Sequence, residues 1–250
     1  NLANSMAFEA SHIGIITQAR MASTRLPGKI FKEVNHKKLL QYHIERLQQT
    51  SFDIAIATTT NRIDDCICEF AHENNIKCHR GSETNVLSRF YDTTVKFNYE
   101  IIVRVTSDCP FIDPHLIRNG VEKYLQFNNP DLYLSNAIER TFARGFDFEV
   151  FSYKLLNEAH KNARDISDLE HVTPYIWKNR AGTVKLYHVK QAVNNSKFRV
   201  TLDTFDDFEL IRILIEKYKV DKLSCVEIEN ILTQHPELTS INVHVEQKKI

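Results

Sequence analysis

The chain has 250 residues and carries 32 Lys and Arg against 32 Asp and Glu, so its formal net charge at pH 7 is zero. This balance excludes a global positive field that would attract nucleic acid or an anionic membrane, so any functional cations must act locally. The length is sufficient for one large domain or two small ones, and no apolar run approaches the ~20 residues of a membrane span.

The amino-terminal stretch 1–12 lacks the charged-then-apolar layout of a secretory signal. We expect it to be a tail or a cloning remnant, and 13–250 to be a single domain. The chain has five scattered cysteines, an odd number that argues against a disulfide framework and favours the reducing cytoplasm. We therefore expect a cytoplasmic protein whose cysteines are packing residues.

In the first half of the chain, short apolar runs alternate with amphipathic segments. The apolar runs predict strands at 13–17, 54–58, 77–79 and 100–106. The amphipathic segments predict helices at 38–48, 64–74, 83–97 and 114–127. Asn61 or Asp64 is expected to cap the second of these helices. The alternation predicts an α/β fold, with a largely parallel sheet and helices on both of its faces.

After residue 129 the pattern is less regular. Strands are predicted at 131–135, 184–189 and 198–202, and helices at 153–163, 168–179, 205–218 and 225–234. The aromatic-rich stretch 142–151 is expected to be irregular. We expect the segment 137–182 to be a subregion that is inserted over one end of the sheet and is not an independent domain.

The loop after the first predicted strand holds the strongest candidate site. It brings Arg20, Arg25 and Lys29 to the carboxyl end of that strand, where open α/β sheets bind their ligands. Arginine offers a planar fork of donors and lysine adds a point charge, so this set suits a polyphosphate. The alternative is an ordinary basic surface loop.

Two carboxylates are candidate metal ligands. Asp108 and Asp203 each follow a predicted strand directly or within two residues. Mg²⁺ binds one or two carboxylates and completes its shell with water and substrate phosphates. For Asp108 the alternative is helix capping, which is the role expected of Asp113 before Pro114. Arg199 is expected either to contact an acidic substrate or to pair with a carboxylate.

Several motifs resemble those of a known family. The segment from Ala19 to Lys29 matches its loop Ala-Arg-x-x-Ser-x-Arg-Leu-Pro-Gly-Lys position for position. Further likenesses are Thr-x-Asp-x-Pro-x-x-Asp-Pro (106–114), Gly-x-Asp-x-Glu-Val (145–150), Glu-His-Val-Thr-Pro (170–174) and Asp-Thr-x-x-Asp (203–207). The chain thus resembles the CMP-sugar synthetases, which are the acylneuraminate and 3-deoxy-manno-octulosonate cytidylyltransferases. The nearest likeness is to the branch called spore coat polysaccharide biosynthesis protein F.

The resemblance implies a fold and an activity. The fold is the three-layer, Rossmann-like fold of the nucleotide-diphospho-sugar transferases (GT-A-like), with a mostly parallel central sheet. The activity is Mg²⁺-dependent transfer of CMP from CTP to an anionic, nonulosonate-type sugar, with release of pyrophosphate, for surface polysaccharide or glycan synthesis. The resemblance also implies a homodimer that forms through 137–182, the same segment that binds the sugar.

The resemblance also implies roles for individual residues. Arg20, Lys29 and Asp108 are the expected catalytic residues, and Asp108 and Asp203 the expected metal ligands. The nucleotide-binding residues are expected to be Ala19, Arg20, Met21, Ser23, Arg25, Lys29, Arg80, Thr106 and Asp108. The sugar-binding residues are expected to be Asp147, Glu149, His171 and Arg199.

Some of these residues have plain structural alternatives. Arg80 is equally explained as a surface turn residue, and His171 as a packed or surface residue of a helix. The stretch 145–151 alternates acidic and aromatic residues, so its alternative is an edge strand with one polar face. Phe146 and Phe148 within it are expected in the core.

Two other functions are open. A GT-A-type glycosyltransferase would use a nucleotide sugar and normally carries an Asp-x-Asp metal motif, of which Asp147-x-Glu149 is a distant echo. A non-catalytic nucleotide-binding protein of the same fold would bind CTP without releasing pyrophosphate. The sequence contains no Gly-x-Gly-x-x-Gly, no P-loop and no Gly-x-Ser-x-Gly, which excludes a dinucleotide fingerprint, a Walker site and a nucleophile elbow.

Overall fold

The structure is a computed structural model that describes residues 12–248. The prediction of a tail at 1–12 therefore lies outside the described residues, except for its last residue. Within this range, no helix is both long and apolar enough to cross a membrane.

Strands and helices alternate as predicted over the first half of the chain. The strands are β1 (Ile13–Gln18), β2 (Glu33–Val34), β3 (Lys37–Lys38), β4 (Asp53–Thr59), β5 (Lys77–Gly81), β6 (Ile101–Thr106), β7 (Leu132–Ser135), β8 (Glu149–Ser152) and β9 (Lys185–His188). The helices are α1 (Leu39–Gln48), α2 (Asp65–Glu73), α3 (Val86–Phe97), α4 (Pro114–Phe127), α5 (Tyr153–Asn162), α6 (Ile166–His171), α7 (Pro174–Trp177), α8 (Phe205–Glu216), α9 (Cys225–Gln234) and α10 (Pro236–Thr239).

Seven strands form the central sheet, in the order β5-β4-β1-β6-β8-β7-β9. Strands β5, β4, β1 and β6 are parallel, and β9 is parallel to β7. Strand β8 runs antiparallel to both of its neighbours, β6 and β7. The mostly parallel sheet is confirmed, and the carboxyl ends of β1 and β6 lie side by side because Gln18 is paired with Thr106.

The sheet is covered on both faces. Ile15 and Ile16 of β1 point to opposite faces of the sheet, because successive side chains of a strand alternate, and both are fully buried. Ile15 packs in an apolar cluster that includes Ile44 of α1 and Ile117 of α4. Ile16 packs in a second cluster that includes Phe90 of α3. The three predicted layers are therefore present.

A third apolar cluster joins the last helices to the loops at the edge of the sheet. Leu210 and Leu214 of α8 and Ile228 of α9 pack in it, and so do Leu26 and Phe146. Because Leu26 belongs to the loop after β1, this cluster fastens that loop to the carboxyl-terminal part of the chain.

The prediction of a strand at 198–202 is wrong. The segment is extended, but only Arg144 and Arg199 form an isolated β-bridge there. The N–H of Val200 donates to the carbonyl of Arg144 at 2.7 Å, and the N–H of Arg144 donates to the carbonyl of Phe198 at 2.9 Å. The partner is a loop that runs alongside for a single residue pair, so no ladder forms.

The single helix predicted at 168–179 is also wrong, since the structure has two short helices there, α6 and α7. Val172 between them has a φ of 71°, which is incompatible with a right-handed helix. Pro174 opens α7 at its first turn because it has no N–H to donate. Pro174 is the residue in the sequence that signals this break.

The edge-strand interpretation of 145–151 is wrong, because β8 lies between two other strands of the sheet. Phe146 and Phe148 are buried as expected. The segment 137–182 therefore contributes a strand to the interior of the sheet and does not lie wholly over one end of it. Its pairing on both sides fixes the register of Glu149, which is opposite Arg104.

Candidate active site

A cleft of about 580 Å³ opens at the carboxyl ends of β1 and β6. The loop after β1, the turn after β6, the start of α3, helix α6 and the segment before α8 all contribute to its wall. The lining residues that the sequence pointed to are Ala19, Arg20, Ser23, Lys29, Thr106, Asp108, His171, Arg199 and Asp203. The predicted site is thus largely brought together in one place.

The loop after β1 is held in a fixed shape. The N–H of Gly28 donates to the carbonyl of Met21 at 3.0 Å, which closes the loop on itself. Gly28 has a φ of 67°, a left-handed value that glycine adopts without strain. Arg20 and Lys29, at the two ends of the loop, both line the cleft.

A buried carboxylate anchors the same loop to the neighbouring strand. Asp64 is 2% exposed, and its Oδ1 accepts the N–H of Met21 at 2.7 Å. Its other oxygen accepts the hydroxyl of Thr59, at the end of β4. The cap of the following turn is Asn61, whose side chain accepts the N–H of Ile63. Asn61 thus caps the turn that precedes α2, whereas Asp64 occupies the cap position of α2 without a capping hydrogen bond from its side chain and instead positions the cationic loop.

The two predicted metal ligands lie on either side of one ammonium group. Lys29 Nζ is 3.7 Å from Asp108 Oδ2 and 3.6 Å from Asp203 Oδ1. Arg25 forms an ion pair with Asp203, and the hydroxyl of Thr106 donates to Asp108 Oδ1 at 2.6 Å. The described residues contain no group of three or more His, Cys, Asp or Glu side chains placed for a metal. Two carboxylates are nevertheless a donor set that suits Mg²⁺ with substrate phosphates.

Arg199 is committed to a carboxylate. Its guanidinium donates to both oxygens of Asp207, at 2.9 and 3.0 Å, and it lies 3.7 Å from Asp203 Oδ2. Burial raises the pKa of Asp207, but hydrogen bonds from Arg199 and Asn242 outweigh it, so the net pKa lies below its ordinary value. Of the two alternatives for Arg199, carboxylate pairing is the one observed, although the side chain still lines the cleft.

The other sugar-binding candidates divide between the cleft and the interior. Asp147 accepts two hydrogen bonds from Arg140, at 2.8 and 2.7 Å. Glu149 is buried and accepts from Arg104 at 2.7 Å. Neither carboxylate lines the cleft, whereas His171 does, and burial lowers the pKa of its imidazole.

Arg80 and Met21, two of the expected nucleotide-binding residues, do not line the cleft. Arg80 pairs with Asp65 at 2.7 Å and donates to the carbonyls of Thr59 and Asn61 at 2.7 and 2.8 Å. This is the surface-turn arrangement that the sequence left open. Met21 contributes its backbone to the loop closure described above.

Several residues that line the cleft lie outside the sequence motifs quoted above. Arg89 is 1% exposed, and burial together with the charge of Arg20 lowers its pKa to about 10. Its guanidinium donates to the carbonyls of Ser82 and Glu83. Further such residues include Gln18, Glu83, Thr84, Val86, Ile166, Gln247 and Lys248. For Arg89, the sequence offered one sign of a functional role: an arginine within an otherwise apolar face of a predicted helix.

His43 was also missed, since a lone histidine in an apolar helix stripe has no motif. It is fully buried under the turn that carries Asp108, and burial lowers the pKa of its imidazole to about 4. The ring is therefore neutral at physiological pH.

The chain matches known proteins over almost its whole length. A family model described as cytidylyltransferase covers residues 13–250. An uncharacterised protein of Methanocaldococcus jannaschii is 35% identical over 94% of this chain and 96% of its own. The spore coat polysaccharide biosynthesis protein SpsF of Bacillus subtilis is 30% identical over 89% of this chain and 94% of its own.

Solved structures agree on the fold. A cytidylyltransferase of Leptospira borgpetersenii superposes with a TM-score of 0.86 and 32% identity, over 95% of this chain and 99% of that chain. A CMP:2-keto-3-deoxy-manno-octonic acid synthetase complexed with CTP superposes with a TM-score of 0.60 and 16% identity, over 82% and 99%. The second likeness concerns the fold alone. Together they confirm the predicted fold of the nucleotide-diphospho-sugar transferases.

Proposed function

The chain belongs to the cytidylyltransferase family, and we propose that it transfers CMP from CTP to an anionic, nonulosonate-type sugar with release of pyrophosphate. Family membership makes it a nucleotidyltransferase that uses CTP. The observation that carries the finer proposal is the approach of Lys29 to both Asp108 and Asp203, at 3.7 and 3.6 Å, at the end of a cationic loop.

Asp108 and Asp203 would hold the Mg²⁺. When bound, the ion supplies positive charge to the α-phosphate and orients the acceptor oxygen. The donor set supports this assignment, because both groups are hard oxygen ligands and both face the same cleft.

The cationic side chains of the loop would bind the phosphates of CTP. Arg20 is exposed and lines the cleft, and Lys29 and Arg25 are paired with carboxylates. As the bond between the α-phosphorus and the pyrophosphate oxygen breaks, negative charge grows on the leaving group, and these cations stabilise it. A hydroxyl of the sugar attacks the α-phosphorus directly, so no protein nucleophile is required.

The acceptor is proposed from the family likeness and from the lining of the cleft. The relative SpsF is named for polysaccharide biosynthesis, which supports a sugar acceptor and a product for surface polysaccharide or glycan synthesis. His171, Glu170 and Ile166 of α6 line the cleft, and Ile166 is 81% exposed. These side chains offer hydrogen bonds and an apolar contact to a sugar.

We also propose a homodimer that forms through 137–182, and a place in the cytoplasm. The dimer is proposed from the family resemblance. All the cysteines are free thiols, which suits a reducing compartment.

The glycosyltransferase alternative loses its one supporting feature. Asp147 and Glu149, the echo of an Asp-x-Asp metal motif, are bonded to Arg140 and Arg104 and do not line the cleft. The non-catalytic alternative is separated from the enzyme by the experiment that follows.

The test is pyrophosphate release from each nucleoside triphosphate with Mg²⁺ and a panel of nonulosonic acids and sugar phosphates. We expect release with CTP and one acceptor. Lys29→Ala and Arg20→Ala should lower kcat by on the order of 100-fold or more, as removal of a transition-state donor does. Lys32→Ala is the matched control, because Lys32 follows the loop but does not line the cleft.

Two results would contradict the proposal. CTP binding without pyrophosphate release across the whole panel would favour a binding protein. A kcat in Lys29→Ala and Arg20→Ala equal to that of Lys32→Ala would refute the role of the cationic loop.

A further inference from the structure

The turn that carries Asp108 is held by a buried histidine on α1. His43 Nδ1 is 2.8 Å from the carbonyl oxygen of Cys109, and its Nε2 is 2.8 Å from Thr17 Oγ1. Thr17 Oγ1 is in turn 2.8 Å from Ser107 Oγ. One imidazole therefore contacts the residue after Asp108 directly, and the residue before it through Thr17.

The partners fix the direction of each hydrogen bond. A carbonyl oxygen only accepts, so Nδ1 of His43 carries the ring hydrogen, and the neutral ring leaves Nε2 as an acceptor. The hydroxyl of Thr17 then donates to Nε2, and the hydroxyl of Ser107 donates to Thr17. All three side chains are at most 3% exposed, so protein partners replace water for each of these groups.

A short backbone bond, from the N–H of Leu202 to the carbonyl of Asp108 at 2.8 Å, ties the turn to the segment before α8, but the bonds within the turn and to β1 are longer. The N–H of Ser107 reaches the carbonyl of Gln18 at 3.3 Å, and the N–H of Cys109 reaches that of Thr106 at 3.3 Å. The contacts through His43 are half an ångström shorter, at 2.8 Å. They tie the turn to α1 through Cys109, and to β1 through Thr17.

Packing alone does not explain a histidine at this position. Its neighbours along the buried stripe of α1 are Leu39, Leu40, Ile44 and Leu47, all at most 1% exposed. Burial of an imidazole among them is unfavourable unless both ring nitrogens find partners. Those partners belong to the turn after β6 and to β1, at the edge of the cleft.

We propose that His43 is a positioning residue, which fixes the Ser107–Cys109 turn so that the carboxylate of Asp108 stays opposite Asp203. This inference rests on the proposed function, since it takes Asp108 as a metal ligand. His43 itself does not line the cleft and acts only through the turn.

The experiment measures Mn²⁺ affinity by electron paramagnetic resonance in the presence of CTP, together with thermal unfolding. His43→Leu removes both bonds, and Thr17→Val removes the link to Ser107. We expect each to weaken Mn²⁺ binding about tenfold, the factor that corresponds to one lost buried hydrogen bond. His43→Asn can still donate to the carbonyl of Cys109, and should recover part of the loss.

Ile44→Val is the control for a loosened helix, because Ile44 is buried on the same helix and lacks any polar contact to the turn. Its Mn²⁺ affinity should equal that of the wild type. The double variant His43→Leu with Thr17→Val should lose more affinity than either single variant, because His43→Leu leaves the bond between Thr17 and Ser107, and Thr17→Val leaves the bond from His43 to Cys109.

The outcomes separate this inference from the proposed function. A wild type that binds neither CTP nor Mn²⁺ would overturn the proposed function. If His43→Leu and Thr17→Val bind Mn²⁺ as tightly as the wild type does, the positioning role of His43 is wrong, and the proposed function is unaffected. If His43→Leu does not fold, Thr17→Val and His43→Asn decide the question.

Discussion

Single buried side chains set the position of the two loops at the cleft. Asp64 holds the backbone of the cationic loop at Met21, as His43 holds the turn of Asp108. Neither Asp64 nor His43 lines the cleft. Each acts on the site through a backbone group, which is why their effects should be seen in binding as well as in stability.

We predict that loss of the Asp64 carboxylate weakens the binding of CTP. Asp64→Ala leaves the N–H of Met21 without a partner, a loss of about 1–3 kcal/mol, and should raise the KM for CTP by roughly tenfold. Asp64→Asn keeps one acceptor for that N–H and should be milder. The measurement is steady-state kinetics of pyrophosphate release at varied CTP.

The matched control is Asp65→Ala at the adjacent position. Asp65 is exposed and pairs with Arg80 outside the cleft, so its loss should leave the KM for CTP near the wild-type value. An equal rise in KM for Asp64→Ala and Asp65→Ala would contradict the anchoring role of Asp64.

At the scale of elements, the cleft exists because β1 and β6 are parallel neighbours. Their carboxyl ends coincide, so the loop after β1 and the turn after β6 meet without any further device. Asp203 reaches the same place by a different route. The N–H of Leu202 donates to the carbonyl of Asp108 at 2.8 Å, which ties the segment before α8 to the turn after β6.

One carboxylate accepts hydrogen bonds from the first turns of two helices. Asp113 Oδ1 accepts the N–H groups of His115 and Leu116 at the start of α4, at 2.8 and 3.0 Å. Its Oδ2 accepts the N–H of Cys225 at the start of α9, at 2.8 Å. Burial raises its pKa, but these hydrogen bonds outweigh burial and lower the net pKa. The expected cap is confirmed, and it also joins two distant helices.

We predict that Asp113→Ala lowers the free energy of unfolding at pH 7 by about 2–4 kcal/mol, from a lost cap and an unpaired N–H of Cys225. Asp165→Ala should change it little, because Asp165 precedes α6 without a capping hydrogen bond. Chemical denaturation of each variant gives the comparison.

The carboxylate of Asp113 also makes the free energy of unfolding depend on pH. Because the folded-state pKa of Asp113 is depressed, its contribution is full above its unfolded-state pKa of about 3.9 and is lost as the pH falls through the folded value. The difference in unfolding free energy between wild type and Asp113→Ala should shrink below about pH 4. A difference that stays constant down to pH 3 would contradict the charge-based account.

At the scale of the whole molecule, parts distant in sequence close around the cleft. Asn242 donates to the carbonyl of Arg199 at 3.0 Å and to Asp207 at 2.8 Å. The segment after it brings Gln247 and Lys248 to the cleft, where Lys248 Nζ is 3.5 Å from Thr24 Oγ1. A ligand in the cleft would therefore contact both ends of the described chain and stabilise the fold as a unit.

CTP with Mg²⁺ should accordingly raise the melting temperature. At about 100 times its Kd, a ligand adds about 2.7 kcal/mol to the free energy of unfolding. For a chain of this size that corresponds to a rise of roughly 5–10 °C. Differential scanning calorimetry of wild type and Lys29→Ala at equal CTP gives the measurement, and the variant should shift less. A wild-type melting temperature that does not respond to millimolar CTP would contradict the assignment of the cleft.

Features that depend on local order follow from the amino-acid sequence alone. Periodicity fixed the α/β alternation, and strand ends fixed where Lys29 and Asp108 lie, because parallel neighbours deliver their loops to one edge. The capping role of Asp113 was equally local, since it depends on a proline one residue later.

Tertiary packing sets which polar side chains already have a partner in the protein and which face the cleft. The sequence predicts that Asp147 and Glu149 bind the sugar, but in the structure their carboxylates accept hydrogen bonds from Arg140 and Arg104. Asp203 reaches the site from a segment that forms no strand, and His43 and Asp64 act through loops far away in the chain. Such pairings depend on which segments meet in space, and that is set by packing of the whole chain and not by the pattern around any one residue.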